Sequence, residues 1–133
     1  MKLTSRSEYA LLALVHLGRQ PPDTYTSVET VANAQGIPAK FLEQILLTLK
    51  RAGHVASVKG QGGGYKLAKP AKLITLASVV RTLDGPLAPT QSVSKNYYHA
   101  TPIEKEPALV EIFTRVRDCV LEVMENTTLD TLL

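Results

Sequence analysis

Few side chains in this sequence are equipped for covalent chemistry, and those that could hold a polyanion cluster in its first half. The stretch Val58-Lys59-Gly60-Gln61-Gly62-Gly63-Gly64-Tyr65-Lys66 places four glycines between two lysines. Glycine leaves its backbone N–H open to close approach by a phosphate oxygen, and lysine adds positive charge. A nucleotide loop fits poorly. A P-loop needs Lys-Ser or Lys-Thr opening a helix, whereas Tyr65-Lys66-Leu67 has the pattern of a strand. A dinucleotide fingerprint needs a third glycine where Tyr65 stands. Lys59, Gly60, Gln61, Gly62 and Gly63 are therefore read as a flexible, DNA-facing wing.

The second chemical signal is Glu43-Gln44. A carboxylate accepts from cytosine N4, and a glutamine amide pairs with adenine N6 and N7. Phosphate repels an exposed carboxylate, so one on a DNA-facing helix points to base reading. Surface pairing of Glu43 with Lys40 or Lys50 explains the same residue, and the sequence leaves both open. Catalysis finds no comparable support. His16 lies in an apolar helical stretch and reads as structural, while His54 follows Gly53 and reads as exposed. Neither has a Ser, Cys or carboxylate at a spacing that implies a catalytic group. No enzymatic activity is expected.

The elements that must position these residues follow from periodicity. Ser5-Arg6-Ser7-Glu8 has a capping-box pattern, and Ala10, Leu11, Leu14, Val15 and Leu17 continue it as a helix to about Gly18. Thr26-Ser27-Val28-Glu29 opens a second, shorter helix. Gly36 ends it, and Pro38 begins a third over 39–52 with Phe41, Leu42, Ile45, Leu46 and Leu49 inward. Lys40, Glu43, Gln44, Thr48 and Lys50 are left outward. Two short helices about a glycine turn make a helix-turn-helix. The strand Val55–Val58 and its return at Tyr65–Leu67 add the wing. The expected fold is mainly α with a small β-hairpin.

Composition limits what remains. The 133 residues include no Trp, and no apolar run approaches the roughly 18–20 residues of a membrane span. With no apolar signal segment at its start, the chain is expected to be cytoplasmic. Residues 1–75 carry ten Lys or Arg against four Asp or Glu; residues 76–133 carry five against eight. That asymmetry separates a polyanion-binding head, 1–75, from a body, 76–133. The body opens with a helix capped by Thr75 and ended by Gly85-Pro86, followed by an irregular segment over 86–102. A last helix runs from about Glu104 to Glu125. Its Leu109, Ile112, Val116, Cys119 and Val123 step by three, four, three and four, a seam suited to pairing with a second copy of itself.

Four ordered motifs together resemble the Rrf-type bacterial winged helix-turn-helix regulators. They are Leu3-Thr4-Ser5-Arg6-Ser7-Glu8-Tyr9-Ala10, Ile37-Pro38-Ala39-Lys40-Phe41-Leu42-Glu43-Gln44-Ile45-Leu46, Gly60-Gln61-Gly62-Gly63-Gly64-Tyr65 and Leu83-Asp84-Gly85-Pro86-Leu87-Ala88-Pro89. The likeness reaches the closing Thr127-Thr128-Leu129-Asp130-Thr131-Leu132. It implies a homodimer with crossing C-terminal helices, bound to a pseudo-palindromic operator in double-stranded DNA, more as repressor than activator. It implies that Lys40 to Gln44, Phe41 included, enter the major groove and that Lys59 lies near the minor groove. By the same likeness, Glu43 reads bases and Thr4, Arg6 and Tyr9 contact the DNA backbone. Relatives that carry an iron–sulfur cluster have three cysteines after Gly-Pro-Leu-Ala-Pro; residues 90–107 here have none, and Ser92 stands where the first would fall. Glu8 and His99 match remnants of such a site. No cofactor is expected, the alternative being a cluster or a Cys119 thiol that governs DNA binding.

Overall fold

The computed structural model describes residues 1–133. Five helices and one hairpin follow each other as α1 (Ser5–Gly18), α2 (Val28–Gln35), α3 (Ala39–Arg51), β1 (Val55–Val58), β2 (Gly64–Leu67), α4 (Leu76–Asp84) and α5 (Pro107–Asn126). Short 3-10 turns at Ala71–Leu73, Gln91–Val93, Pro102–Lys105 and Leu129–Leu132 fill the connections.

Two helix starts differ from expectation by one residue, for one reason. Adjacent hydroxyl residues compete to cap, and in each pair the expected one lost. Thr4, not Ser5, accepts from the Ser7 N–H at α1. Ser27, not Thr26, accepts from the Thr30 N–H at α2. Thr26 is thereby free to exchange two 2.8 Å backbone hydrogen bonds with Tyr65, forming a short third rung beside the hairpin. The last helix begins at Pro107, because Pro102–Lys105 forms a separate 3-10 turn before it.

A core of 15 buried residues unites α1, α2, α3 and β1. Along α3, Leu42, Ile45, Leu46 and Leu49 are wholly buried, a stripe recurring at helical spacing. Burying each such side chain is worth about 1.5–3 kcal/mol before entropy is set against it. Helix α4 serves two cores. Its Val79 joins the main one with Ile74 and Leu129, while Ala77 and Val80 pack with Leu87 and Leu121 of the body. The chain end is stitched back by Leu129 N–H to the Ile74 carbonyl at 2.8 Å, so the head's core is closed by residues from the last turn.

Candidate nucleic-acid interface

Because α3 buries one stripe, its opposite face must meet solvent. Lys40, Phe41, Glu43, Gln44, Leu47, Lys50 and Arg51 are all exposed on it. Gly36, at φ 67°, supplies the left-handed residue that ends α2 and turns the chain into α3. Phe41, expected inward, is 38% exposed, and its ring meets Tyr9 of α1 edge-on with centroids 5.6 Å apart. Tyr9 is half-buried by the same contact. These aromatics fix α3 against α1, and Thr48 turns its hydroxyl back to the Gln44 carbonyl at 3.1 Å.

The hairpin stands beside this face. Its strands pair antiparallel with Val55 opposite Leu67 and Val58 opposite Gly64. Burial pushes the Tyr65 hydroxyl's pKa up, and the nearby Glu43 carboxylate pushes it further, so wing and α3 share one electrostatic environment. The tip is a formed turn rather than the flexible loop expected. The Gly63 N–H donates to the Gly60 carbonyl at 3.0 Å. A Cβ on Gly63 would sit 2.3 Å from the Val58 carbonyl oxygen, and one on Gly64 would sit 2.2 Å from that of Thr26. Those two glycines are needed for backbone packing, which leaves Gly60 and Gly62, both at positive φ with open space around them, for approach to a ligand.

The two lysines flanking the glycines part company. Lys59 is exposed and extends the basic edge past β1. Lys66 pairs with Asp23 at 3.1 Å and lies 4.9 Å over the Tyr25 ring. Arg6 is exposed at the start of α1. Thr4, also exposed, is held: its backbone N–H donates to Asp84 Oδ2 at 3.2 Å and its hydroxyl to Asp84 Oδ1. Burial alone would raise the pKa of Asp84, but the hydrogen bonds from Thr4, the neighbouring Ser7 hydroxyl and the charge of Arg6 bring it below the ordinary value. Asp84 and Thr26 were missed by sequence reasoning, and only the long-range register of α4 and the wing reveals them. His54 corrects an expectation outright: it is 3% exposed, turned inward toward α4.

The remaining sequence candidates lie on α5 and its preceding loop. Leu109, Ile112, Val116, Cys119 and Val123 are all exposed along one side of α5. Beside them runs an apolar groove of about 500 Å³, lined by Met1, Leu3, Pro89, Val116, Val120 and Met124 among others. No helix is long and apolar enough to cross a membrane.

The helix-turn-helix, the glycine wing beside α3 and the terminal helix with one exposed apolar side have counterparts in known proteins. Residues 3–133 match the Rrf2 family, described as iron-dependent transcriptional regulators. This chain belongs to the Rrf2 family. It is 32% identical over 132 residues to the HTH-type transcriptional regulator CymR of Bacillus subtilis, covering 99% of this chain and 89% of that protein. A putative rrf2-like regulator of Rhodobacter capsulatus is 35% identical, covering 98% and 91%. Among solved structures, CymR of B. subtilis, called the global cysteine regulator, superposes with a TM-score of 0.85 at 31% identity, covering 99% and 95%. T. potens IscR superposes at 0.76 with 25% identity, covering 99% and 85%. The Rrf2 chain is a DNA-binding transcriptional regulator, not an enzyme.

The iron in the family's description finds no matching donor set here. No three of His, Cys, Asp or Glu are grouped so as to hold a metal ion. Cys119 is on α5 rather than in the 90–107 loop, while Glu8 and His99 are each exposed. Ser92, where a first cysteine would fall, accepts the Thr101 N–H at 2.9 Å and bonds the Thr101 hydroxyl, which also lies 3.1 Å from that of Thr90. Hydroxyls of this kind, already committed to each other, are poor ligands for iron, whose clusters are held by thiolates. They close the loop by themselves.

Proposed function

We propose that this chain is a cytoplasmic, homodimeric repressor that binds a pseudo-palindromic operator. Residues 1–75 act as the reading head and 76–133 as the dimerisation body. The observation that carries this is the shared face of α3 and the wing. Lys40, Phe41, Glu43 and Gln44 stand exposed on α3, Lys59 and the open backbone of Gly60, Gln61 and Gly62 on the wing, and the Glu43 carboxylate acts on Tyr65 across the two. In this reading α3 enters the major groove, where Glu43 accepts from cytosine N4 and Gln44 pairs with adenine. Lys59 follows the backbone toward the minor groove, and Thr4, Arg6 and Tyr9 at the start of α1 meet phosphate. The exposed seam Leu109, Ile112, Val116, Cys119 and Val123 and the adjoining apolar groove support pairing through α5. A two-fold pair would present two α3 helices to successive major grooves.

A second reading keeps one supporting observation, the exposure of Cys119 on that seam. There, oxidation would link two copies and alter operator affinity. Non-reducing electrophoresis of protein treated with a mild oxidant, with DNA affinity measured in parallel, decides between them. A covalent dimer with changed affinity favours the thiol sensor.

Selection of bound duplexes from a random pool tests the principal reading. Enrichment of inverted half-sites whose centres are about 10–10.5 base pairs, or a multiple, apart supports it. Binding without sequence enrichment contradicts it.

A further inference from the structure

One buried residue joins the end of α3 and the hairpin to α4, the first helix of the body, and has no part in the proposed reading face. The His54 N–H donates to the Leu49 carbonyl at 2.9 Å, closing the end of α3, and its carbonyl accepts from Ala68 at 3.0 Å, extending the hairpin. Its ring points at α4, with Nε2 3.4 Å from Thr82 Oγ1. Thr82 spends its own proton on the Ser78 carbonyl at 2.8 Å, so it can only accept from the ring. That fixes the neutral tautomer with the proton on Nε2. Nδ1 is then buried with no partner at all.

We propose that His54 is a proton-operated positioning residue, whose neutral ring seats the α3–wing unit on α4 and whose protonation loosens that seat. A second ring proton would sit on Nδ1, where nothing accepts it, so the cost is that of a buried unsatisfied charged donor. No carboxylate is placed to offset it. From α4 the ring meets Thr82 and the Ser78 backbone, while the charged residues of that helix face elsewhere, Arg81 to Glu125 at 2.7 Å and Asp84 to Thr4. The segment after β2 contributes the cation Lys69, and the last turn of α3 contributes exposed Lys50 and Arg51. Burial first, then Lys69, lowers the pKa of His54, and the Ser78 backbone only partly opposes them.

The sign follows. A base whose folded pKa lies below its unfolded one stabilises fully above about pH 6.5, and that stability is lost as pH falls toward the folded value. The head is then seated less of the time, and DNA affinity falls with the competent fraction.

The inference rests on the DNA-reading role only for its affinity arm. Thermal unfolding of DNA-free wild type and His54→Leu from pH 8 to pH 5.5 is the first measurement. The unfolding constant of wild type should rise relative to the variant by up to about tenfold per pH unit below about 6.5, or about 3–6 °C in Tm. NMR titration of His54 in wild type, which needs no variant, should show its ring titrating below the ordinary histidine value. For a duplex enriched by wild type, the ratio of the wild-type Kd to that of His54→Leu should rise as pH falls over the same range, by no more than the factor, up to about tenfold per pH unit, by which the unfolding constant rises. Parallel pH profiles in wild type and variant, or a His54 ring titrating at or above the ordinary histidine value, would overturn the proposal. If no duplex binds at any pH, the repressor reading fails while the unfolding profiles still decide the joint.

Discussion

Replacing Gly64 by alanine should dislodge the wing from the head without touching α3. The added Cβ would lie 2.2 Å from the Thr26 carbonyl oxygen, 2.4 Å from its carbon and 2.7 Å from the Ser27 nitrogen, all backbone atoms. Ordinary contact begins near 3.4 Å, so the strand must retreat by about 1 Å. The two Thr26–Tyr65 hydrogen bonds, each 2.8 Å, cannot survive that shift. Their net loss is about 1–3 kcal/mol together, and the displaced packing adds about 1–2 kcal/mol. Gly62→Ala is the matched control. Gly62 has φ 76° and open space, so alanine there meets only the left-handed penalty of about 1–2 kcal/mol. Urea denaturation followed by circular dichroism would measure both. Gly64→Ala should be the more destabilised by about 1–3 kcal/mol and should also lose DNA affinity. Equal destabilisation of the two variants would refute the claim that the Thr26 rung anchors the wing.

Two further outcomes follow from the surface. Val116→Asp puts a carboxylate on the exposed seam of α5, at a residue that belongs to neither buried cluster. Light scattering should show a monomer with an unchanged helical spectrum, and a persisting dimer would place the interface elsewhere. Lys66→Ala should leave the salt dependence of DNA binding unaltered, because that lysine is turned to Asp23 and Tyr25. A fall in slope comparable to that of Lys59→Ala would show that Lys66 also reaches phosphate.

What the sequence disclosed was whatever local periodicity and turn chemistry control. The α3 stripe was readable because four buried aliphatics repeat at helical spacing, and its outer face followed by subtraction. The α5 seam was readable because its residues have no partner within the chain to obscure the pattern. Contacts between distant segments were hidden. Nothing near Thr26 announces that it pairs with Tyr65, and nothing near Thr4 announces Asp84, 80 residues away. His54 was misread because histidine after a helix end is ordinarily solvated, whereas here α4 covers it. The four glycines looked alike in sequence but divide in the fold, Gly63 and Gly64 serving packing and Gly60 and Gly62 the open turn.

The central claim is that α3 reads bases while the wing supplies charge. Affinity of Glu43→Ala and Lys59→Ala for a panel of duplexes differing at single positions, across a salt series, tests it most directly. Glu43→Ala should lose about 1–3 kcal/mol of discrimination at one base pair per half-site and keep its salt slope. Lys59→Ala should weaken all duplexes alike and lower the slope by about one per subunit, with base preference intact. Unchanged base preference in Glu43→Ala would contradict the account.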